Sequence, residues 1–163
     1  MTSKERTYQY QSIEESLSLA KGLSGLEYLQ QMLAGTLANA PAVSTLGMYG
    51  KSVTNGKAVF GFIPEEYHYN AVGTVHGGVI STLLDTAMGC TLLTSLDAET
   101  TFTTLELKIN FLKAVTYNSG ELISEGKIIH AGKTTALVEA SLVDKNGVIY
   151  AHGVSTCLKM KKR

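Results

Sequence analysis

Hydrophobic positions recur with a helical period in two separate parts of this chain. A helix is predicted over residues 25–40, where four leucines lie on one face before Pro41. Residues 1–23 in front of it are polar and show no periodicity, so we expect a loosely ordered leader. A second helix is predicted over residues 77–96, where apolar pairs recur every three to four positions. Few of its positions are polar, which predicts that this helix is buried.

Six strands are predicted around the second helix. Two apolar runs precede it between Val43 and Ile63, separated by an Asn-Gly pair at residues 55–56, the strongest short signal for a hairpin. Four runs follow it. The first alternates apolar and polar residues over 105–111, as a half-buried strand does, and a second Asn-Gly pair at 146–147 joins the last two. Nothing else in the chain can cover the helix on all sides. The expected fold class is therefore α+β, with a curved antiparallel sheet wrapped around one central helix.

Composition and charge narrow the class of protein. The chain has 163 residues, with 14 Lys plus Arg against 14 Asp plus Glu, and 2 Cys. A domain of this length folds without disulfides or metals, and the cysteines lack the spacing of a metal site. A net charge of zero argues against nucleic-acid binding. The N-terminus shows no signal peptide, and the stretch 67–96 is too polar to span a membrane, so we expect a cytoplasmic protein that is not membrane-bound.

Asp85 and the start of the buried helix are the candidate chemistry. An ionised carboxylate within an apolar helix is costly unless it is paired, and this helix contains no Lys or Arg. Asp85 is therefore either a partly exposed residue bonded to Ser81 or Thr82, or a catalytic carboxylate. The run His76–Gly78 opens the helix, where unpaired N–H groups attract negative charge such as a forming oxyanion. Taken alone, that run is more typical of an ordinary helix entry, and it is the acid nine residues after His76 that favours chemistry there.

Several spaced motifs resemble the PaaI-like branch of the hotdog-fold acyl-CoA thioesterases. They are NAVGTVHGGVISTLLDTAMG, TTLELKINFLKAVT, GELISEGKIIHAGKTTALVEASLVDKNG and AHGVSTC, in that order. The resemblance covers about residues 24–160 and implies one hotdog thioesterase domain there, followed by a basic tail at 161–163. It implies hydrolysis of acyl-CoA thioesters without a cofactor or metal. It also implies a homo-oligomer, with a dimer as the smallest active unit and a tetramer as the full assembly.

The resemblance further implies roles for individual residues. In the family, the backbone N–H at Gly77, followed by Gly78 in the helix N-terminus, polarises the thioester carbonyl. The acid at Asp85 acts as general base or nucleophile. The remaining catalytic positions, which place or contact the attacking water, correspond to His76, Asn70 and Thr104.

The resemblance also implies a segment that meets the coenzyme A nucleotide, formed by His130, Ala131, Gly132, Lys133 and Thr134. From the residues alone, the Gly-Lys pair in that segment is as typical of a tight hairpin turn as of a phosphate contact. The family's usual Arg-Pro pair is replaced by Lys113-Ala114 in this chain.

Two other functions are compatible with these residues. A hotdog hydratase or dehydratase pairs a catalytic His with an acid elsewhere in the chain. A non-catalytic acyl-CoA-binding regulator keeps the pocket and dispenses with the acid. Asp85, nine residues after His76 on one helix, favours hydrolysis over both. The acyl group depends on how the pocket packs, and the sequence does not specify it.

Overall fold

The structure is a computed structural model that describes residues 2–162, so Met1 and Arg163 lie outside it. Over that range six antiparallel strands form one sheet in the spatial order β1-β2-β4-β5-β6-β3. The strands are β1 (Met48–Thr54), β2 (Lys57–Phe62), β3 (Thr100–Phe111), β4 (Leu122–Ala131), β5 (Thr135–Asp144) and β6 (Ile149–Lys161). The α-helices are α1 (Ile13–Leu19), α2 (Gly25–Leu33), α3 (Pro41–Thr45) and α4 (Gly77–Leu93), and short 3₁₀ turns lie at Glu66–His68 and Tyr117–Ser119.

Helix α4 lies across the concave face of the sheet and contacts strands β2 to β6. Its buried face includes Leu84 and Met88, which pack with strand residues such as Phe62 and Leu142 in one core. Each such side chain contributes about 1.5–3 kcal/mol when it leaves water. The predicted sheet around a central helix is therefore confirmed. No helix within residues 2–162 is long and apolar enough to cross a membrane.

Both Asn-Gly turns are present where the sequence predicts them. Gly56 between β1 and β2 has φ +76°, and Gly147 between β5 and β6 has φ +78°. Glycine adopts this left-handed backbone conformation far more readily than residues that carry a Cβ. At the second turn the Asp144 carboxylate also accepts from the backbone N–H groups of Asn146 and Val148, at 2.9 and 3.0 Å. The two hairpins are thus determined by their own short sequences.

The helix predicted over residues 25–40 is shorter than expected. It ends at Leu33, and Gly35 follows with φ +78°, the left-handed glycine that commonly terminates a helix. Pro41 begins α3 instead of ending a helix, because its fixed φ and missing N–H suit a first helical turn. Since α3 occupies the start of the first predicted strand run, β1 begins only at Met48.

The leader predicted to be loose contains α1 and contacts the rest of the chain. Ser16 is buried, and its hydroxyl accepts from the backbone N–H of Ala38 at 3.1 Å. The Arg6 guanidinium lies over the Tyr67 ring, 3.9 Å from its centroid. A seven-residue helix is too short to show a periodic pattern, and these tertiary contacts hold it in place. At the other end, β6 extends into the predicted basic tail as far as Lys161. The last tail residue lies outside the described range.

Strand β3 differs most from its prediction. It pairs with β6 and, among residues 2–162, with no other strand, so it forms one edge of the sheet. The alternation over 105–111 predicts a half-buried strand, but Leu105 is 58% exposed and Phe111 is 55% exposed. Part of the apolar surface of β3 is therefore exposed at this edge of the sheet.

Candidate active site

Asp85 is half-buried on a stripe of α4 that the sheet leaves accessible. The Thr104 hydroxyl, on β3, donates to Asp85 Oδ1 at 2.9 Å. The two partners considered from the sequence, Ser81 and Thr82, instead donate to backbone carbonyls one turn earlier, at 2.8 and 2.9 Å. Within the described chain no Lys, Arg or His forms an ion pair with Asp85. A hydroxyl from the neighbouring strand is therefore the group that orients this carboxylate.

Thr104 faces Asp85 because of a bulge in β3. In the ladder with β6, Leu105 is an extra residue between Thr104 and Glu106. A regular two-residue period would place Thr104 on the same face as Glu106, away from the helix. With the bulge, Thr104 faces α4, and Leu107 on the other side of the bulge lies opposite the buried Ser155. One inserted residue thus allows both halves of β3 to turn a side chain toward the helix.

The N-terminus of α4 forms a second part of the candidate site. His76 is the N-cap residue, and its Nδ1 accepts from the backbone N–H of Gly78 at 2.9 Å. The N–H of Gly77 has no hydrogen-bond acceptor in the described part of the chain. The Phe111 ring lies so close that a Cβ at residue 77 would be 3.1 Å from it. Gly77 therefore presents a free N–H at the positive end of a helix, where it can stabilise developing negative charge.

Asn70 organises the loop that leads into α4. Its Oδ1 accepts from two backbone N–H groups of the loop, at 3.0 and 3.2 Å, and its Nδ2 donates to the Thr74 hydroxyl at 3.1 Å. Asn70, Gly77 and Phe111 line one cavity of about 330 Å³. No hydrogen bond joins the Asn70 side chain to His76 over the described residues, so the contacts of Asn70 are confined to the loop in front of the helix.

The two parts of the candidate site are separated along α4. Gly77 and Asp85 are eight residues apart, which at a rise of about 1.5 Å per residue makes about 12 Å. Strand β3 follows the helix over this distance, with Phe111 over Gly77 and Thr104 at Asp85. A single reacting carbon cannot lie within hydrogen-bond reach of both groups of one chain, since that reach is about 3 Å on each side.

The predicted coenzyme A segment, His130–Thr134, comprises the last two residues of β4 and the three-residue turn that joins β4 to β5. The N–H of Gly132 donates to the Thr135 carbonyl at 2.8 Å, and Lys133 is exposed. Thr135 is in register with Thr103 through one residue of β6. Two strand spacings of about 4.8 Å separate them, so the turn lies about 10 Å from β3. The structure therefore places this segment at the Asp85 end of β3 and away from the Gly77 end.

The two cysteines are free, and neither has the properties of a nucleophile. Desolvation inside the protein, together with the nearby Asp85 charge, raises the pKa of the Cys90 thiol to about 12. A thiol with this pKa is protonated at neutral pH, whereas the thiolate is the reactive form. Cys157 is fully buried against β3. Residues 2–162 also contain no cluster of His, Cys, Asp or Glu suited to a metal.

Some residues of the site were not predicted from the sequence. The segment after β3, including Lys113, lines the same cavity as Gly77. The Lys113 ammonium group lies 4.6 Å from the centroid of the Tyr150 ring. This segment has no regular secondary structure, so no periodic pattern in the sequence predicts where it lies. The one signal in the sequence is that Lys113-Ala114 replaces the family's usual Arg-Pro pair.

Comparisons with known proteins identify the family of this chain. The sequence model of the thioesterase superfamily matches residues 72–151. A candidate esterase of Saccharolobus solfataricus is 32% identical over 105 residues, which cover 64% of this chain and 73% of that protein. The chain belongs to the thioesterase superfamily. It is therefore a hydrolase, and thioester hydrolysis is the general chemistry of its family.

Three further proteins are similar to this chain in sequence or in structure. Human acyl-coenzyme A thioesterase 13 is 27% identical over 106 residues, covering 64% of this chain and 74% of that protein. The PaaI protein of Escherichia coli superposes with a TM-score of 0.72 at 19% identity, covering 86% and 96% of the two chains, which shows the hotdog fold. A Streptococcus mutans protein whose structure holds acetyl-CoA superposes with a TM-score of 0.64 at 26% identity, covering 71% and 90%.

Proposed function

We propose that this thioesterase hydrolyses acyl-CoA thioesters, with Asp85 as general base or nucleophile and the Gly77 N–H as oxyanion donor. The observation that carries the proposal is the Thr104–Asp85 hydrogen bond, formed on the same helix that presents the unpaired N–H. Hydrolysis needs a group that activates water or attacks directly, and a donor for the developing oxyanion. The human relative named for acyl-coenzyme A and the neighbour holding acetyl-CoA support this substrate class.

The proposed site is shared between two copies of the chain. One chain separates its Gly77 and Asp85 by about 12 Å, so it cannot complete the site alone. A two-fold axis between antiparallel central helices brings Gly77 of one copy to Asp85 of the other and makes two sites per dimer. The exposed Leu105 and Phe111 on the edge strand support this arrangement, because an edge strand with exposed apolar side chains is suited to packing against a second chain. A tetramer built from two such dimers is part of the same proposal.

The remaining predicted residues take supporting roles in this proposal. His76 and Asn70 keep the entry to α4 in place through the bonds described above. The segment His130–Thr134 contacts the nucleotide end of coenzyme A, with the exposed Lys133 offering its charge to a phosphate. The domain that carries all of these groups spans about residues 24–160.

The test is a panel of acyl-CoAs in which thiol release is measured for the wild type and for Asp85→Asn. Asparagine keeps an oxygen that accepts from Thr104, so the geometry is retained while the base is lost. We expect kcat to fall by about 10²- to 10⁴-fold with stability unchanged or raised. Glu5→Gln, an exposed carboxylate in the leader, is the matched control and should retain full activity.

Three results would count against the proposal. Turnover of Asp85→Asn within about threefold of the wild type would remove Asp85 from the mechanism. Binding of acyl-CoA by the wild type without any thiol release would indicate a regulator. Water addition to an enoyl-CoA without thiol release would indicate a hydratase.

A further inference from the structure

A buried serine on β6 contacts the backbone of β3 beside its bulge. The Ser155 side chain is fully buried, and its hydroxyl donates to the backbone carbonyl of Glu106 at 2.9 Å. Glu106 is the first residue after the extra residue of the bulge. Ser155 Oγ also lies 3.6 Å from Sγ of Cys157, which is the ladder partner of Thr104. The hydroxyl is therefore on the helix-facing side of the sheet, between the bulge and the residue opposite Thr104.

The bulge needs stabilisation that a regular ladder does not. An extra residue disrupts the regular hydrogen bonds between two strands, and a side-chain donor to the adjacent carbonyl compensates locally. A buried hydrogen bond of this kind stabilises by about 0.5–1.5 kcal/mol, and a buried group left without its partner costs about 1–3 kcal/mol. The Ser155 bond thus favours the bulged pairing over a regular one.

The alternative pairing would change which side chains face α4. Without the bulge, Glu106 would lie opposite Ser155, the place that Leu107 occupies. A one-residue slip moves every following side chain to the opposite face, and Thr104 and Leu107 could not both face the helix. The position of the Thr104 hydroxyl over Asp85 therefore depends on the bulged register.

We infer that Ser155 is a positioning residue of the thioesterase site, holding Thr104 against Asp85 through the bulge of β3. The inference rests on the proposed role of Asp85. Ser155 does not contact the carboxylate; it sets the backbone register that carries the residue which does.

Ser155→Ala tests this inference, with Ser124→Ala as the matched control. Both serines are fully buried in the sheet, but Ser124 Oγ has no hydrogen-bond partner in the described chain. The same atom is thus removed from the same kind of environment. We expect Ser155→Ala to lower kcat about 10-fold, with KM within about twofold of the wild type, because misplaced groups affect the chemical step most. Ser124→Ala should leave both parameters unchanged.

A double-mutant cycle separates positioning from a general loss of structure. Thr104→Val removes the hydroxyl that bonds Asp85. If Ser155 acts through Thr104, adding Ser155→Ala to Thr104→Val lowers kcat by less than about twofold. Thermal unfolding of each variant checks that it is folded. If Ser155→Ala does not fold, Ser155→Cys replaces it in the same cycle, because the cysteine thiol is a weaker hydrogen-bond donor that is still present. The loss of kcat in Ser155→Cys should be smaller than in Ser155→Ala, and it should likewise disappear in the Thr104→Val background.

The outcomes distinguish this inference from the proposed function. If Ser155→Ala keeps kcat within about twofold of the wild type while Asp85→Asn is inactive, the inference is overturned and the proposed function is left intact. The inference is also overturned if Ser155→Ala lowers kcat about 10-fold in the Thr104→Val background, because Ser155 then acts on catalysis without Thr104. An active Asp85→Asn enzyme overturns both.

Discussion

A mixed dimer of two inactive variants offers the sharpest test of a shared site. Asp85→Asn removes the base, and Gly77→Pro removes the N–H proposed as oxyanion donor. Proline is tolerated at the first position of a helix, and the preceding His76 has ψ 134°, the extended conformation that a residue before proline adopts. Gly77→Ala is the matched control. Its Cβ meets the Phe111 ring as a proline would, but the alanine keeps the N–H, so it should retain far more activity.

The activity expected of the mixed dimer follows from the placement of Gly77 and Asp85 of each site on different chains. Loss of an oxyanion donor costs about 10²- to 10³-fold and loss of a positioned base about 10²- to 10⁴-fold, so each parent should retain about 1% activity or less. In a mixed dimer with shared sites, one site carries both defects and the other carries neither. Random pairing makes about half of the dimers mixed, each with one intact site of two, so about a quarter of wild-type activity returns.

The assay is thiol release from an acyl-CoA after the two variants are refolded together. Different affinity tags on the two chains allow the mixed dimer to be isolated, and native mass spectrometry confirms its composition. The isolated mixed dimer should reach about half of the wild-type rate per dimer. Verified mixed dimers as inactive as their parents, with every chain folded, would show that Gly77 and Asp85 do not meet across the subunits.

Asn70→Ala should raise the barrier to catalysis by about 1–3 kcal/mol, less than Asp85→Asn, because it releases the loop without removing a reacting group. Equal losses of kcat/KM for the two variants would contradict this ranking. The free energy of unfolding should depend on pH through His68, because burial holds the pKa of its imidazole below the usual 6.5. The unfolded chain then binds a proton at higher pH than the folded one, so this contribution is complete above about pH 6.5 and is lost as the pH falls. Urea unfolding at several pH values should show this slope, and His68→Gln should flatten it; equal slopes would refute the assignment. Gly126→Ala should destabilise the fold by about 1–3 kcal/mol in urea, because a Cβ there would lie 2.3 Å from the Thr91 hydroxyl oxygen; an unchanged midpoint would count against that packing.

Much of the fold depends on patterns within short stretches of sequence. The apolar spacing of α4, the strand runs and the two Asn-Gly turns each lie within about 20 residues, so they predict their elements without reference to the rest of the chain. The candidate Asp85 was also predictable, because a lone carboxylate in an apolar helix is visible as a local misfit. Gly35 offered the same kind of local signal for the end of α2, although the leucine period extends beyond it.

Tertiary structure decided how these elements meet at the site. The two-residue period of β3 places Thr104 on the face of Glu106, and only the bulge turns its hydroxyl toward Asp85. That bulge depends on pairing with β6 and on a hydrogen bond between residues 49 apart in the chain. The exposed edge of β3 likewise follows from its place in the sheet. Periodicity records which residues prefer burial, but not which strand lies beside them; register and edges are therefore settled by packing between distant segments.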